Sequence, residues 1–318
     1  MNNNFFKILR AGIHTTYQDG GRFGLQHLGL PPGGCMDNKS FLLANAIVGN
    51  KKNKGIIEFA YQGPLLQLIK GKTKIVITGN VSFKIIYKNN NEIIEGECNR
   101  SYNLNEGDQI DILATKKSAY GYLSVSAGFE LEEMWGSYSI NTKAQIGPND
   151  GKKYSINEKI FIKKSHIENI KDKKINYKDS FDNIIRVIKG TNFNYFSNES
   201  KNIFFNETYS VTRLTDRMGM RLDGPNLENK VNTNIKSEGL IRGVIQVPAD
   251  GKPIILLSDH GTIGGYPKIA TVISADLDKV AQLSPGTKIQ FEEVSLEEAE
   301  KLFKKYTEDT NKYLNEHS

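Results

Sequence analysis

Cysteine is nearly absent: Cys35 and Cys98 are the only two in 318 residues, too few for a disulfide framework or for a zinc site built on cysteine. A reducing compartment is expected. Long apolar runs are missing as well, and none approaches the roughly 20 residues that cross a bilayer. The opening stretch from Met1 to Arg10 reaches a charge at Lys7 and offers neither the apolar core nor the cleavage site of a signal peptide. A soluble, cytoplasmic protein that engages no membrane follows. The five histidines, His14, His27, His166, His260 and His317, fall at no metal-ligand spacing, so no metal site is expected. There is no Gly-x-Ser-x-Gly elbow, and no Met-Lys-Met segment that would offer a lysine for biotinylation. Gly71-Lys72-Thr73 imitates the end of a phosphate-binding loop, but Leu66 stands where its first glycine belongs, and a hairpin turn is expected there.

Acidic residues are outnumbered, 36 against 42 Lys and Arg, which leaves a net charge of +6. The surplus lysines are spread through an Asn- and Ile-rich background and not gathered on one segment. The densest run, Lys152 to Lys178, is broken by Ile156, Ile160 and Ile162 and by Glu158, Glu168 and Asp172. That reads as a solvated connector, and no nucleic-acid partner is expected.

What the sequence has in quantity is short β-branched runs punctuated by Gly, Asn and Lys: Ile56–Phe59, Leu65–Ile69, Lys74–Thr78, Ser82–Tyr87 and Glu92–Glu95. A second series begins at Ile184–Ile188 and includes Thr208–Leu214 and Gly243–Val247. Many short strands predict a mainly β protein of barrels or sandwiches with few helices. At this length two domains are expected, and the Asn-Lys-Asp clusters between Asn169 and Asp182 place the boundary at 1–177 and 178–318. Asp37 is positioned to cap a helix that buries Phe41, Leu42, Ala44, Ile47 and Val48. Near the end, Ser274 is positioned to cap a short helix, and Ser295-Leu-Glu-Glu298 is a capping box for a last one burying Leu296, Ala299, Leu302, Phe303 and Tyr306.

The densest chemistry lies in Asp259-His-Gly-Thr-Ile-Gly-Gly-Tyr-Pro-Lys268, between the apolar runs Ile254–Leu257 and Ile269–Ile273. Gly261, Gly264 and Gly265 allow positive φ and close approach of a ligand, while Asp259, Thr262, Tyr266 and Lys268 supply acid, hydroxyl, phenol and cation. In the alternative reading the glycines serve a tight turn, Tyr266 packs and Lys268 is solvated. Arg213, Arg217 and Arg221 recur at intervals of four beside Gly219 and Gly224, a face suited to an anion. The competing reading pairs Arg217 with Asp216 or Asp223. Asp19 with Arg22 forms either a second binding pair or a loop-fixing ion pair. Glu58, inside an apolar strand, needs a partner or a raised pKa.

Several blocks occur in an order that resembles one family. They are Thr16-Tyr-Gln-Asp-Gly-Gly-Arg22, Gly29-Leu-Pro-Pro-Gly-Gly-Cys-Met-Asp37, Gly63-Pro64 after Glu58, Asp216-Arg-Met-Gly-Met-Arg-Leu-Asp-Gly-Pro225, Ile245-Gln-Val-Pro-Ala-Asp-Gly251 and Gly264-Gly-Tyr-Pro-Lys268. Together they resemble the biotin-dependent carboxyltransferase family, which includes the C-type subunit of bacterial 5-oxoprolinase and the second allophanate-hydrolase-type subunit. The resemblance implies two cyclophilin-like β-barrel domains. It also implies a heteromeric enzyme in which B-type and A-type subunits join this chain to open 5-oxo-L-proline to L-glutamate with ATP and Mg²⁺. In the other branch a carboxyl group passes from carboxybiotin to urea. A non-catalytic regulatory binding protein is the third reading. From the chemistry of the Gly-rich loop, Lys268, Asp259 and Tyr266 are the catalytic candidates. Arg217, Arg221, Asp216, Gly264, Gly265, Thr262, Asp19, Arg22 and Glu58 are the candidates for binding the small-molecule substrate or nucleotide. The chain departs from the family at Tyr138, where relatives carry arginine, at Lys152, Asn157 and Glu158, and at Gly261, where glutamine is usual.

Overall fold

The computed structural model describes residues 3–167, 170–177, 182–231 and 234–315. The chain forms two compact units, one of Met1–Arg22, Gly33–Asp179 and Thr310–Ser318, the other of Phe23–Pro32 and Ser180–Asp309. The expected boundary at 177/178 opens onto residues 178–181, which lie outside the described residues, as does His317. Both units are mainly β.

In the first unit a six-stranded sheet runs in the order Lys159–Ile162, Asn4–Arg10, Leu65–Lys70, Gln109–Thr115, Val81–Ile86, Ile93–Glu95. A five-stranded sheet runs His14–Gln18, Ile56–Ala60, Tyr120–Val125, Thr73–Thr78, Ser101–Leu104. Val81–Ile86 alternates as a one-sided strand should, burying Val81, Phe83 and Ile85. Ile56–Ala60, Thr73–Thr78 and Tyr120–Val125 are instead buried at every position. Helix α1 (Asn38–Ile47) packs on Thr73–Thr78 and Tyr120–Val125, so both faces of those strands are covered. Asp37 caps α1 by accepting the Ser40 N–H at 2.9 Å. The helix buries Phe41, Ala44 and Ile47, with Val48 beyond its end also buried, whereas Leu42 is only half-buried.

The turn expected to close a hairpin at Gly71 does something else. Gly71, at φ +100°, carries the chain from the six-stranded sheet into the five-stranded one, and Glu106-Gly107-Asp108 carries it back. A period of two predicts strands but not their partners. The supposed connector also holds a strand: Lys159–Ile162 pairs antiparallel with Asn4–Arg10 and buries Ile160 and Ile162.

The second unit closes into a seven-stranded barrel: Ile184–Lys189, Lys268–Val272, Val244–Gln246, Ile254–Leu256, Gly219–Asp223, Tyr209–Thr215 and Lys288–Glu293. The last strand returns to the first as a parallel pair. Helix α2 (Asn198–Asn206), capped by Ser197, stacks Phe204 on Phe291 of the barrel at 4.4 Å between ring centroids. Helix α3 (Leu277–Gln282) lacks the expected Ser274 cap, because a 3-10 turn at Ser274–Asp276 precedes it and the Asp276 carboxylate bonds back to the Arg186 N–H and guanidinium. Helix α4 (Leu296–Asn315) does begin with Ser295 accepting the Glu298 N–H, at 3.1 Å. Its expected buried face is corrected: Leu296 and Phe303 are exposed, and Ala299, Leu302 and Tyr306 half-buried. Tyr306 tethers the helix by donating to Asp278 at 2.5 Å, and only its last turn buries Thr310 and Leu314. No helix among the described residues is long and apolar enough to cross a membrane.

Candidate functional site

The hairpin Tyr209–Thr215/Gly219–Asp223 and the loop after Ile254–Leu256 enclose a cleft of about 620 Å³ in the second unit. Leu214, Leu240, Ile254, Leu256 and Ile263 make its apolar walls, and Arg213, Asp216, Arg221, Gln246 and Tyr266 its polar ones. Thr215, Met218, Gly219, Gly261, Gly264 and Gly265 complete the lining. Arg213 and Arg221 are exposed on opposite strands of the hairpin, and among the described residues neither guanidinium has a carboxylate within ion-pair distance. An apolar cavity with a few converging polar groups is the usual form of a small-molecule site.

The arginine face expected from the spacing of four is corrected by the turn that separates the strands. Arg217 lies within that turn, is 5% exposed, and is not among the lining residues. Its Nε and Nη2 donate to the two carboxylate oxygens of Asp259 at 2.8 and 3.0 Å, and the Asp259 N–H donates to the Arg217 carbonyl at 2.8 Å. This bidentate pair, formed with neither Asp216 nor Asp223, fixes the start of the 259–268 loop. Asp216 accepts the Met218 and Gly219 N–H groups and so shapes the turn itself.

The glycines of that loop also act otherwise than expected. None of Gly261, Gly264 and Gly265 takes positive φ. What they supply is room: a Cβ on Gly264 would lie 2.8 Å from Leu240 Cδ1 and 2.9 Å from Gln246 Nε2, and one on Gly265 would lie 2.9 Å from the Ile235 carbonyl. The strand Glu238–Gly239 pairs with Ile263–Gly264, Leu240 N–H donates to the Thr262 carbonyl and Ile235 N–H to that of Gly265. Loop backbone is therefore committed to this short ladder. Lys268 is 4% exposed, and its Nζ donates to Glu238 at 2.5 Å and to Asn192 Oδ1 at 3.4 Å. The hydrogen bond from Lys268 in turn holds the Glu238 carboxyl below its ordinary range. Lys268, Thr262 and Asp259 thus hold the loop from behind, while Tyr266, Gly264 and Gly265 face the cleft. Gln246, 5% exposed with Nε2 3.4 Å from the Tyr266 carbonyl, was not singled out in sequence because a lone amide in a strand carries no spacing signal.

His260 is buried within this loop, with Nδ1 2.6 Å from the Gly261 carbonyl, and burial lowers its pKa below 6.5. Between its folded and unfolded pKa values the unfolded chain binds more protons. The stabilisation from neutral His260 is therefore complete above about pH 6.5 and is lost as pH falls through the lower folded value. Melting temperature should decline from pH 7 to 5, with a shallower slope in His260→Asn. Equal slopes would show that His260 does not set this dependence.

Asp19, Arg22 and Glu58 belong to the first unit. The Asp19 carboxylate is wholly buried and accepts four bonds: Gly21 N–H at 2.8 Å, Ser137 Oγ at 2.7 Å, Ser139 Oγ at 2.6 Å and Tyr138 N–H at 2.8 Å. Arg22 donates to the Ser139 carbonyl at 2.5 Å. The two fix one loop against another, and no direct Asp19–Arg22 pair need be invoked. Because Tyr138 contributes its main chain, the departure there leaves the clamp intact. Glu58 accepts the Met36 N–H at 2.7 Å, and the neighbouring Tyr122 hydroxyl, raised well above 10 by burial and then by the Glu58 charge, accepts the Asp37 N–H at 2.7 Å.

The described residues contain no cluster of three His, Cys, Asp or Glu poised around a metal. The domain model described as carboxyltransferase domain, subdomain A and B, matches residues 28–293. The chain is 31% identical over 293 residues to the C-type subunit of 5-oxoprolinase from Escherichia coli K12, covering 92% of each chain. It is 33% identical over 300 residues to the protein of the same name from Haemophilus influenzae, covering 94% of each. Among solved structures it superposes on the urea amidolyase of K. lactis with a TM-score of 0.87 at 26% identity, covering 98% of this chain and 20% of that one.

Proposed function

The chain belongs to the carboxyltransferase domain family, subdomains A and B, and from that premise we propose that it is the C-type member of an ATP-dependent 5-oxoprolinase, which opens 5-oxo-L-proline to L-glutamate together with A- and B-type subunits. The observation that carries this reading is the end-to-end match, 92% of each chain, to a free-standing 5-oxoprolinase polypeptide, whereas the urea amidolyase match takes up 20% of a much longer enzyme.

The cleft suits such a substrate. Arg213 and Arg221 present two guanidiniums to its carboxylate, Gln246 offers an amide to pair with the lactam, and Leu240, Ile254 and Leu256 enclose the ring. A lactam carbonyl is a poor electrophile, and an ATP-derived phosphoryl group on its oxygen supplies a group that leaves as phosphate. ATP and its Mg²⁺ are assigned to the complex and to no residue of this cleft. Lys268, paired to Glu238, keeps the loop that carries Tyr266 in place.

Alone, the chain should show no ATP hydrolysis stimulated by 5-oxoproline, and turnover should appear on adding both partner subunits. Robust turnover by the isolated chain would sink the shared-site reading. Arg221→Ala in the assembled complex should raise KM roughly ten- to hundredfold, since an Arg–carboxylate contact contributes about 1.5–3 kcal/mol. An unchanged KM would remove Arg221 from the site. The structural likeness to urea amidolyase keeps one other reading open, carboxyl transfer from biotin on a separate carrier. Urea-dependent consumption of carboxybiotin, without 5-oxoproline turnover, would decide for it.

A further inference from the structure

A second concave site lies wholly in the first unit, where residues 172–174 run beside the edge strand Ser101–Leu104. It encloses about 670 Å³. Arg100 and Lys174 face each other across an antiparallel bridge, which puts their side chains on one face about 5 Å apart at Cβ. Two cations so placed repel unless an anion lies between them, and here the Glu97 carboxylate reaches Lys174 at 2.6 Å and Arg100 at 3.6 Å. All three side chains are about half exposed, so these ion pairs are weak and exchangeable.

Around this point the site is rigid and aromatic. The Arg100 guanidinium lies over the Tyr102 ring, 5.7 Å from its centroid. That ring is held edge-on against Phe83, and its hydroxyl accepts the Glu97 N–H at 2.8 Å. Tyr87 and Ile94 form the facing wall. The 170–174 segment is pinned by Lys74, whose buried Nζ donates to the Ile170 carbonyl and to Asp172 at 2.6 Å each, and by reciprocal bonds of 2.9 Å between Ser101 and Lys173. Of the charged residues lining the cleft, Arg100, Lys173 and Lys174 are basic and Asp172 is acidic.

We propose that this cleft binds a planar anion of the nucleoside phosphate class, its phosphate displacing Glu97 between Arg100 and Lys174 and its ring system lying against the Tyr87, Ile94 and Arg100–Tyr102 surfaces. The inference does not rest on the reaction proposed for the second unit. A dianion takes both cations bidentately where one carboxylate reaches them unequally, and stacking on a guanidinium–tyrosine platform favours a flat heterocycle over a free ion.

The test is direct binding by calorimetry to the full-length chain, with AMP, adenosine and inorganic phosphate as probes. AMP should bind more tightly than either fragment, and Arg100→Ala or Lys174→Ala should weaken it at least tenfold without changing the melting temperature. Lys301→Ala, the same charge change on exposed α4, should leave it unaltered. Absence of AMP binding overturns the proposal. So does equal affinity for phosphate and AMP, which identifies a simple anion site, or AMP binding that both cleft variants leave intact. Since binding is read without turnover, its failure is separate from failure of the 5-oxoprolinase reading.

Discussion

Asp259→Ala should cost about 3–5 kcal/mol of stability, because it strips a guanidinium that is 5% exposed of its bidentate carboxylate. The loss should appear as a drop in melting temperature on the order of 10 °C. Replacing both members together, Arg217→Met with Asp259→Leu, should recover much of it, since apolar side chains of similar volume carry no desolvation penalty. The comparison separates two roles for Asp259. A stability loss rescued by the double variant makes the pair a fastening of the loop. Should Asp259→Ala melt like the wild type and abolish turnover in the complex, the carboxylate is instead available for chemistry.

Asp19→Ala is expected to be comparably severe in the first unit. Four donors converge on this one carboxylate, and each loses a partner in a site without solvent. A loss on the order of 4 kcal/mol is expected. Trp135, the sole tryptophan, lies in the Met134–Ser137 turn next to the clamp and reports this locally by fluorescence. Asp19→Asn, which keeps the shape but has one acceptor oxygen, should fall between. If Asp19→Ala unfolds at the wild-type denaturant concentration, the clamp is not what holds these loops.

The strands were legible in sequence because β-branched runs and turn residues act locally: Ile184–Ile188, for instance, differs from the observed strand by one residue. The Asp37 cap was legible for the same reason, its donor being three residues away. The loop around Gly264 was legible as a place of close approach, but the glycines make room for Leu240 and Gln246 and not for a turn at positive φ. What the pattern could not hold was the choice of distant partners. Arg217 had nearby carboxylates at Asp216 and Asp223 and took Asp259, 42 positions on; Lys268 took Glu238 from a segment with no pattern of its own. Burial of both charges turned two candidates for the cleft into its supports, and left Arg213, Arg221 and Gln246 facing inward. In α4 the apolar periodicity is real, but nothing in it says how much of the stripe a neighbour covers.

Because the first unit takes in Thr310–Ser318 and the second takes in Phe23–Pro32, the chain passes between them more than once. A ribosome releasing this protein from its N-terminus therefore delivers the first unit incomplete. The Tyr313 ring, 5.2 Å from that of Tyr177, arrives only after the whole barrel has been made. Cutting the gene at the connector would yield two fragments that each lack a piece of themselves.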